Sequence, residues 1–234
     1  MTATQNSYRQ TDSDVHPSNA SPDYESTCKR APSLAPISIA QTLSEITGPR
    51  FDESIFRPGD GDLTRFAGGV ACGERIIIGG RVLDEDGRPV PGIVIEIWQA
   101  NAAGRYAHDA DRHDAPLDPH FSGVGRVFTG ADGAYRFVTI RPGAYPWRNH
   151  YNGWRPAHIH YSLLGPAFAT RLITQMYFEG DPLLALDPIF NAVPEIARDR
   201  LIAVFYTGLT VPEFALGYRF DFVLRGRDTT FVKA

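Results

Sequence analysis

From Glu74 onward, apolar and polar positions alternate in short bursts. The segments RIIIGGRVLD (75–84), GIVIEIWQA (92–100), YRFVTIRPG (135–143), AHIHYSLLG (157–165), RLITQMYFEG (171–180) and YRFDFVLRG (218–226) are rich in β-branched and aromatic residues and end on Gly, Pro or Asp. That pattern predicts strands. Turn chemistry lies between them, at Asp-Glu-Asp-Gly (84–87) and Ala-Asp-Gly (131–133). Two stretches read as helix: ISIAQTLSEITG (37–48), closed by Gly48, and PEIARDRLIAVF (194–205), with Pro194 in the first turn and apolar residues at 196, 201, 202 and 205. Residues 1–36 are polar, are punctuated by Pro17, Pro22, Pro32 and Pro36, and lack an apolar period. They describe an extended arm, either a disordered tail or a segment that packs on the main body or on a partner. A parallel α/β fold needs more helices than this. The predicted class is mainly β, an antiparallel β-sandwich with long loops, the N-terminal arm and one or two short helices. Residues 1–73 form the arm and its helix, and residues 74–234 the sandwich domain that carries the candidate chemistry.

Composition narrows the function. The 18 Pro and 22 Gly among 234 residues agree with many turns, and a chain of this length supports a sizeable core. No apolar run is long enough for a membrane span, and the opening MTATQNSYRQTDSDVH has neither a basic nor an apolar signal region. A cytoplasmic protein is expected. The net charge of −4, with Lys and Arg dispersed, lacks the basic footprint of a nucleic-acid binder. Cys28 and Cys72 make neither a disulfide framework nor a thiolate metal site. Any metal must use His, Tyr or carboxylates.

The densest candidate chemistry lies in AYPWRNHYNGWRPAHIHYSLL (144–164). His158 and His160 stand two apart in a strand, so both imidazoles share one face and form half of a metal site. The spacing alone is met more often by a pair of half-exposed strand histidines. The company of Tyr145, Trp147, Trp154, Arg155 and Pro156 favours a site. A second candidate, the loop 104–120, holds His108, His113, His120 and several aspartates, but it has no EF-hand or His-Glu-x-x-His spacing and reads as solvated. Phosphate-binding loops, a Gly-x-Ser-x-Gly elbow and an activated cysteine are all missing.

The run IGGRVLDEDGRPVPGIVIEIWQANAAGRY (78–106) is similar to the signature of the intradiol ring-cleavage dioxygenases at Gly80, Val82, Gly87, Val90, Ile95, Glu96, Ile97, Gly104 and Tyr106. The segments 142–160, 165–183 and 218–231, and the arm around SPDYES and QTLSEITGPRF, resemble the iron-bearing chain of the family's two-chain members. The resemblance covers residues 21–231. It implies a non-haem Fe(III) held by Tyr106, Tyr145, His158 and His160. It makes Tyr145 the ligand that a chelating catechol displaces, and so also base and gate. Arg155 is implied to stabilise charge developing on the ring, with Gln175 as its polar partner. Tyr24, Trp98, Trp147 and Ile189 correspond to pocket positions.

Two anionic oxygens and two imidazoles suit a hard ferric ion. The substrates implied are a catechol and O2, and the product a ring-opened dicarboxylate. The polar arm does not resemble the helical dimerisation region of catechol-specific relatives, which favours a carboxylated catechol, protocatechuate, over 4-sulfocatechol or others. The resemblance also implies a homologous alpha chain, without the iron ligands, as partner in a hetero-oligomer. Two readings compete: a zinc hydrolase built on His158, His160 and a loop aspartate, and a non-catalytic sandwich module, since GRVLDEDGRPVPGIVIEIW alone also suits binding domains.

Overall fold

The computed structural model describes residues 14–18, 34, 53–148, 151, 153–165, 171–224 and 230. The helix expected at 37–48 and Tyr24 lie outside them. Thirteen strands follow in order among the described residues: β1 (Arg65–Phe66), β2 (Gly69–Val70), β3 (Arg75–Leu83), β4 (Val94–Trp98), β5 (Val124–Phe128), β6 (Ala134–Ile140), β7 (Tyr145–Pro146), β8 (Trp154–Arg155), β9 (His158–Leu164), β10 (Arg171–Phe178), β11 (Ile202–Phe205), β12 (Leu216–Arg219) and β13 (Phe222–Val223). Two one-turn helices, α1 (Pro188–Asn191) and α2 (Glu195–Arg198), lie between β10 and β11.

The strands make two layers. One runs β6-β3-β12-β11 with β13 also on β3, and the other runs β11-β10-β9-β4-β5. Strand β11 belongs to both, because Ile202 and Ala203 pair with β10 while Val204 and Phe205 pair with β12. Period two turns Ile76, Ile78 and Phe137 from the first layer toward Ile95, Ile97, Ile159, Tyr161 and Met176 from the second, all buried in one core. Aromatic rings join the layers, with Tyr161 6.1 Å from Phe137 and 5.1 Å from Phe222.

The sandwich is mainly β as expected, but it is not purely antiparallel. The β3–β12, β3–β13 and β10–β11 pairs are parallel. Parallel neighbours require long crossovers, and the passage through α1 and α2 is one of these. The helix expected over 194–205 is a second correction. It is helical only at Glu195–Arg198, with Pro194 as its N-cap, and after a 3-10 turn the chain enters β11 at Ile202. Ala203, wholly buried between two ladders, gains more from sheet pairing than an isolated helix face would supply. The strand expected over 218–226 is interrupted at Phe220–Asp221, where the chain crosses close over Gly80. A Cβ there would lie 1.9 Å from the Phe220 carbonyl oxygen. Strand β5 was not expected, since Gly125 and Arg126 dilute its β signal.

In the arm, Val15 is buried against Tyr177, Phe190, Val193, Ala197 and Leu201. This part of it packs on the main body.

The Phe220 crossing is held by the Tyr135 hydroxyl, which donates to the Phe220 carbonyl at 2.6 Å inside the core. Tyr135→Phe leaves that carbonyl buried and unpaired, at a cost of about 1–3 kcal/mol. A lowered denaturant midpoint is the expected outcome.

Candidate active site

Strand β9 is buried along its whole length, and its alternation decides what faces where. Ile159, Tyr161 and Leu163 enter the core, leaving His158, His160 and Ser162 on the opposite face. In register, His160 lies between Trp98 on β4 and Gln175 on β10, and His158 lies beside Tyr177. The Trp98 and His160 rings stack at 4.9 Å, 7° from parallel. The Pro156 carbonyl lies 2.7 Å from His158 Nδ1 and fixes that nitrogen as the protonated one. The lone pair of Nε2 then points into the site.

Two loops bring the tyrosines. Asn101 organises the first, its Oδ1 accepting from the amides of Ala103 and Arg105 and its Nδ2 donating to the Pro116 carbonyl. The Tyr106 amide donates to Asp111 Oδ2 at 2.8 Å. Gly104 allows the loop to touch the second tyrosine's strand: its φ is +78°, and a Cβ would lie 2.0 Å from the Ala144 carbonyl oxygen. Tyr145 itself is paired with Arg155 across the β7–β8 ladder.

The four side chains converge. Tyr106 Oη lies 3.1 Å from His160 Nε2, the two Nε2 atoms are 3.2 Å apart, and Tyr145 Oη lies 3.2 Å from His158 Nε2. Ligands roughly 2.0–2.1 Å from one ion stand about 3 Å from each other, so the donor set fits a single metal ion. Its chemistry fits too, since electron-rich atoms gathered this closely need a cation or shared protons between them. Burial, then the neighbouring Tyr145, hold the Tyr106 phenol well above its ordinary pKa, so it stays neutral until a cation supplies the field to ionise it.

Behind His158 stands a buried charge network. Arg155 is 1% exposed and Asp187 wholly buried. Arg155 donates from Nε and Nη2 to Asp187 Oδ2 at 3.0 and 2.7 Å, and from Nη2 to Gln175 Oε1 and Tyr177 Oη at 2.9 and 3.0 Å. Tyr177 in turn donates to Gln175 Oε1 at 2.7 Å. Gln175 Nε2 lies 3.3 Å from His160 Nδ1, and Arg155 Nη1 lies 3.2 Å from His158 Nε2. The Trp147 ring carries the guanidinium at 5.1 Å. Burial alone would lower the guanidinium's pKa, but Tyr177 and Asp187 outweigh it and hold the pKa above its ordinary value. Arg155 is therefore a permanent cation.

Of the ten residues singled out from the sequence, Tyr106, Tyr145, Arg155, His158, His160 and Gln175 form one polar cluster. Trp98 and Trp147 stack on it, and Ile189 is buried in α1 beside Asp187. Tyr177 and Asp187 escaped the sequence reading. The signals available were the two-residue offset of Tyr177 from Gln175, and the Asp-Pro pair that opens a helix. The loop histidines serve locally: His108 Nδ1 accepts from the Ala110 amide, His113 lies 3.1 Å from the Gly104 carbonyl, and His120 lies 3.3 Å from that of Phe66. Among the described residues, no three His, Cys, Asp or Glu side chains come together to hold a metal. The His-His-Asp set of a zinc hydrolase is thus not assembled.

Residues 46–226 match the family model described as "Dioxygenase". The chain belongs to the intradiol ring-cleavage dioxygenases. Residues 8–42 match the model for the N terminus of the protocatechuate 3,4-dioxygenase beta subunit. This dioxygenase is 56% identical to the protocatechuate 3,4-dioxygenase beta chain of Burkholderia cepacia, over 92% of both chains. It is 30% identical to the alpha chain of that name from Burkholderia cepacia, over 82% of this chain and 96% of the other. In fold it resembles 3-chlorocatechol 1,2-dioxygenase from Rhodococcus opacus 1CP, with a TM-score of 0.55 and 24% identity, covering 70% of this chain and 64% of that one. Intradiol dioxygenases depend on non-haem iron.

Gly104→Ala tests the packing of the two tyrosine loops. Positive φ and the Ala144 carbonyl both oppose a Cβ, so a loss of more than about 1 kcal/mol is expected. Thermal melting should fall.

Proposed function

We propose that the chain is the iron-bearing, beta-type chain of a protocatechuate 3,4-dioxygenase. It cleaves 3,4-dihydroxybenzoate between its hydroxyls with O2, giving 3-carboxy-cis,cis-muconate. The 56% identity over 92% of both chains carries this reading. Tyr106, Tyr145, His158 and His160 would hold Fe(III), whose charge two phenolates and two imidazoles partly neutralise. When bound, ferric iron supplies the Lewis acidity that makes a chelated catecholate reactive toward O2.

The protein's own groups do the rest. Tyr145 is half-buried on a two-residue strand and moves more readily than a ligand on β9. Tyr145 would take up a proton from an incoming catechol hydroxyl, while Tyr106, held by the Asp111 and Gly104 contacts, stays in place. Arg155 Nη1 faces the His158 nitrogen. With the His158 lone pair held by a metal, the Nη1 hydrogens would be available to the oxygens of bound substrate, where negative charge develops. Trp98 and Trp147 line the approach with flat apolar surface, and Ile189 extends the wall; the family resemblance assigns Tyr24 to the same pocket.

A homologous alpha chain completes the assembly, and the relative of that kind supports the pairing. Residues 1–73 pack on the domain 74–234 or on that partner, as the burial of Val15 supports. No helix among the described residues is long and apolar enough to cross a membrane, and the reading places the enzyme in the cytoplasm.

Oxygen uptake by the chain co-expressed with its alpha partner tests the substrate, with protocatechuate, 4-sulfocatechol, catechol and hydroxyquinol compared. The highest kcat/KM is expected for protocatechuate, and preference for another catechol rejects it as substrate. Metal analysis should find about one iron per chain, with a red-brown absorption from phenolate-to-iron charge transfer. Stoichiometric zinc in a colourless protein sinks the ferric assignment. Arg155→Ser removes a preorganised donor and should lower kcat by about 10²–10³, with a smaller change in KM. Steady-state kinetics at saturating oxygen read this directly.

A further inference from the structure

We propose that Asp187 is a positioning residue for the ring-cleavage reaction. Its two oxygens divide two tasks, one aiming the Arg155 guanidinium at the Tyr106–Tyr145–His158–His160 cluster and the other anchoring helix α1 with Ile189 beside it. This rests on the function proposed above.

The division is visible in the contacts. Oδ1 accepts from the amides of Ile189 and Phe190 at 2.7 and 3.2 Å, and Oδ2 accepts from Arg155 Nε and Nη2 at 3.0 and 2.7 Å. Capping a single helical turn needs only a Ser or Asn oxygen. A wholly buried carboxylate is strongly unfavourable unless a cation pairs with it, so the charge at Asp187 serves Arg155. The guanidinium is a rigid planar fork with one hydrogen on Nε and two on each terminal nitrogen. Asp187, Gln175 and Tyr177 occupy the Nε and Nη2 side. Nη1 is thereby directed to the cluster, at 3.2 Å from His158 Nε2. Without the anchor on Nε, the fork is held only through Nη2 and can turn about it, and the Nη1 donors leave the place where charge develops.

Asparagine separates the two tasks, because its side chain has one acceptor oxygen and cannot serve both the helix amides and the guanidinium. Serine keeps a cap and gives up the ion pair. The test uses the full chain assembled with its alpha partner, with protocatechuate as substrate. Asp187→Asn is expected to lower kcat roughly 10–100-fold, with KM changed less than about threefold and with iron content and charge-transfer absorption kept. In the Arg155→Ser background the same change should cost less than about twofold, since residues acting through one group are not additive. Asp187→Ser should behave as Asp187→Asn does.

Wild-type kcat in Asp187→Asn, or an equal further loss in the Arg155→Ser background, overturns the proposal. So does failure of both Asp187 variants to form an iron-replete assembly, which marks a structural role alone. If Arg155→Ser itself keeps wild-type turnover, the task given to Arg155 is wrong and this inference falls with it. If Arg155→Ser loses turnover and Asp187→Asn does not, only the assignment of Asp187 fails.

Discussion

Strand β9 is buried on both faces, and its alternation is the constraint on which the rest of the structure depends. Odd-numbered residues from Ile159 to Leu163 fill the apolar core, and the even-numbered histidines face the polar site. A shift of one residue against β4 or β10 would put imidazoles into the core and isoleucine among the phenols. Folding the core and forming the site are therefore one event. The neighbours are specified by the same rule, since Trp98, Gln175 and Tyr177 reach the histidines only in this register.

The second demand is electrostatic. A buried guanidinium and a buried carboxylate each cost several kcal/mol if left alone, and two buried imidazoles need partners as well. In place here the groups answer one another, from Asp187 through Arg155 to His158, and from Gln175 to His160. Such a network gives little net stability, but it permits few geometries. The loops can then be long, because Asn101 and Gly104 fix Tyr106 locally and the β7–β8 pair fixes Tyr145.

Much of this was legible in the sequence. The alternation of AHIHYSLL placed both histidines on one face, and the turn-rich composition indicated the sandwich. The roles of Tyr106, Tyr145 and Arg155 came from resemblance, since nothing in local spacing says that residues 106 and 145 meet. Asp187 and Tyr177 escaped the sequence reading because an Asp-Pro pair or a two-residue offset from Gln175 gains meaning only once it is known which segments pack against the buried arginine. Strand β11 was misread because IAVF continues a helical period, and only its two flanking ladders decide otherwise. The parallel pairs were equally hidden, as pairing direction over long separations leaves no local mark.

Two of those pairs have a consequence for how the protein is made. The close packing of β3 against β12 and β13 joins Arg81 to Asp221, 140 residues further along. During synthesis at roughly 5–20 residues per second, β3 therefore emerges about 7–28 s before its last neighbours. β6 covers one edge of it much sooner. Through that interval the other edge, with its Ile76-Ile77-Ile78 run, stays open to any strand that reaches it. The hazard for this fold lies in the seconds when a finished strand waits beside the ribosome for the end of its own chain.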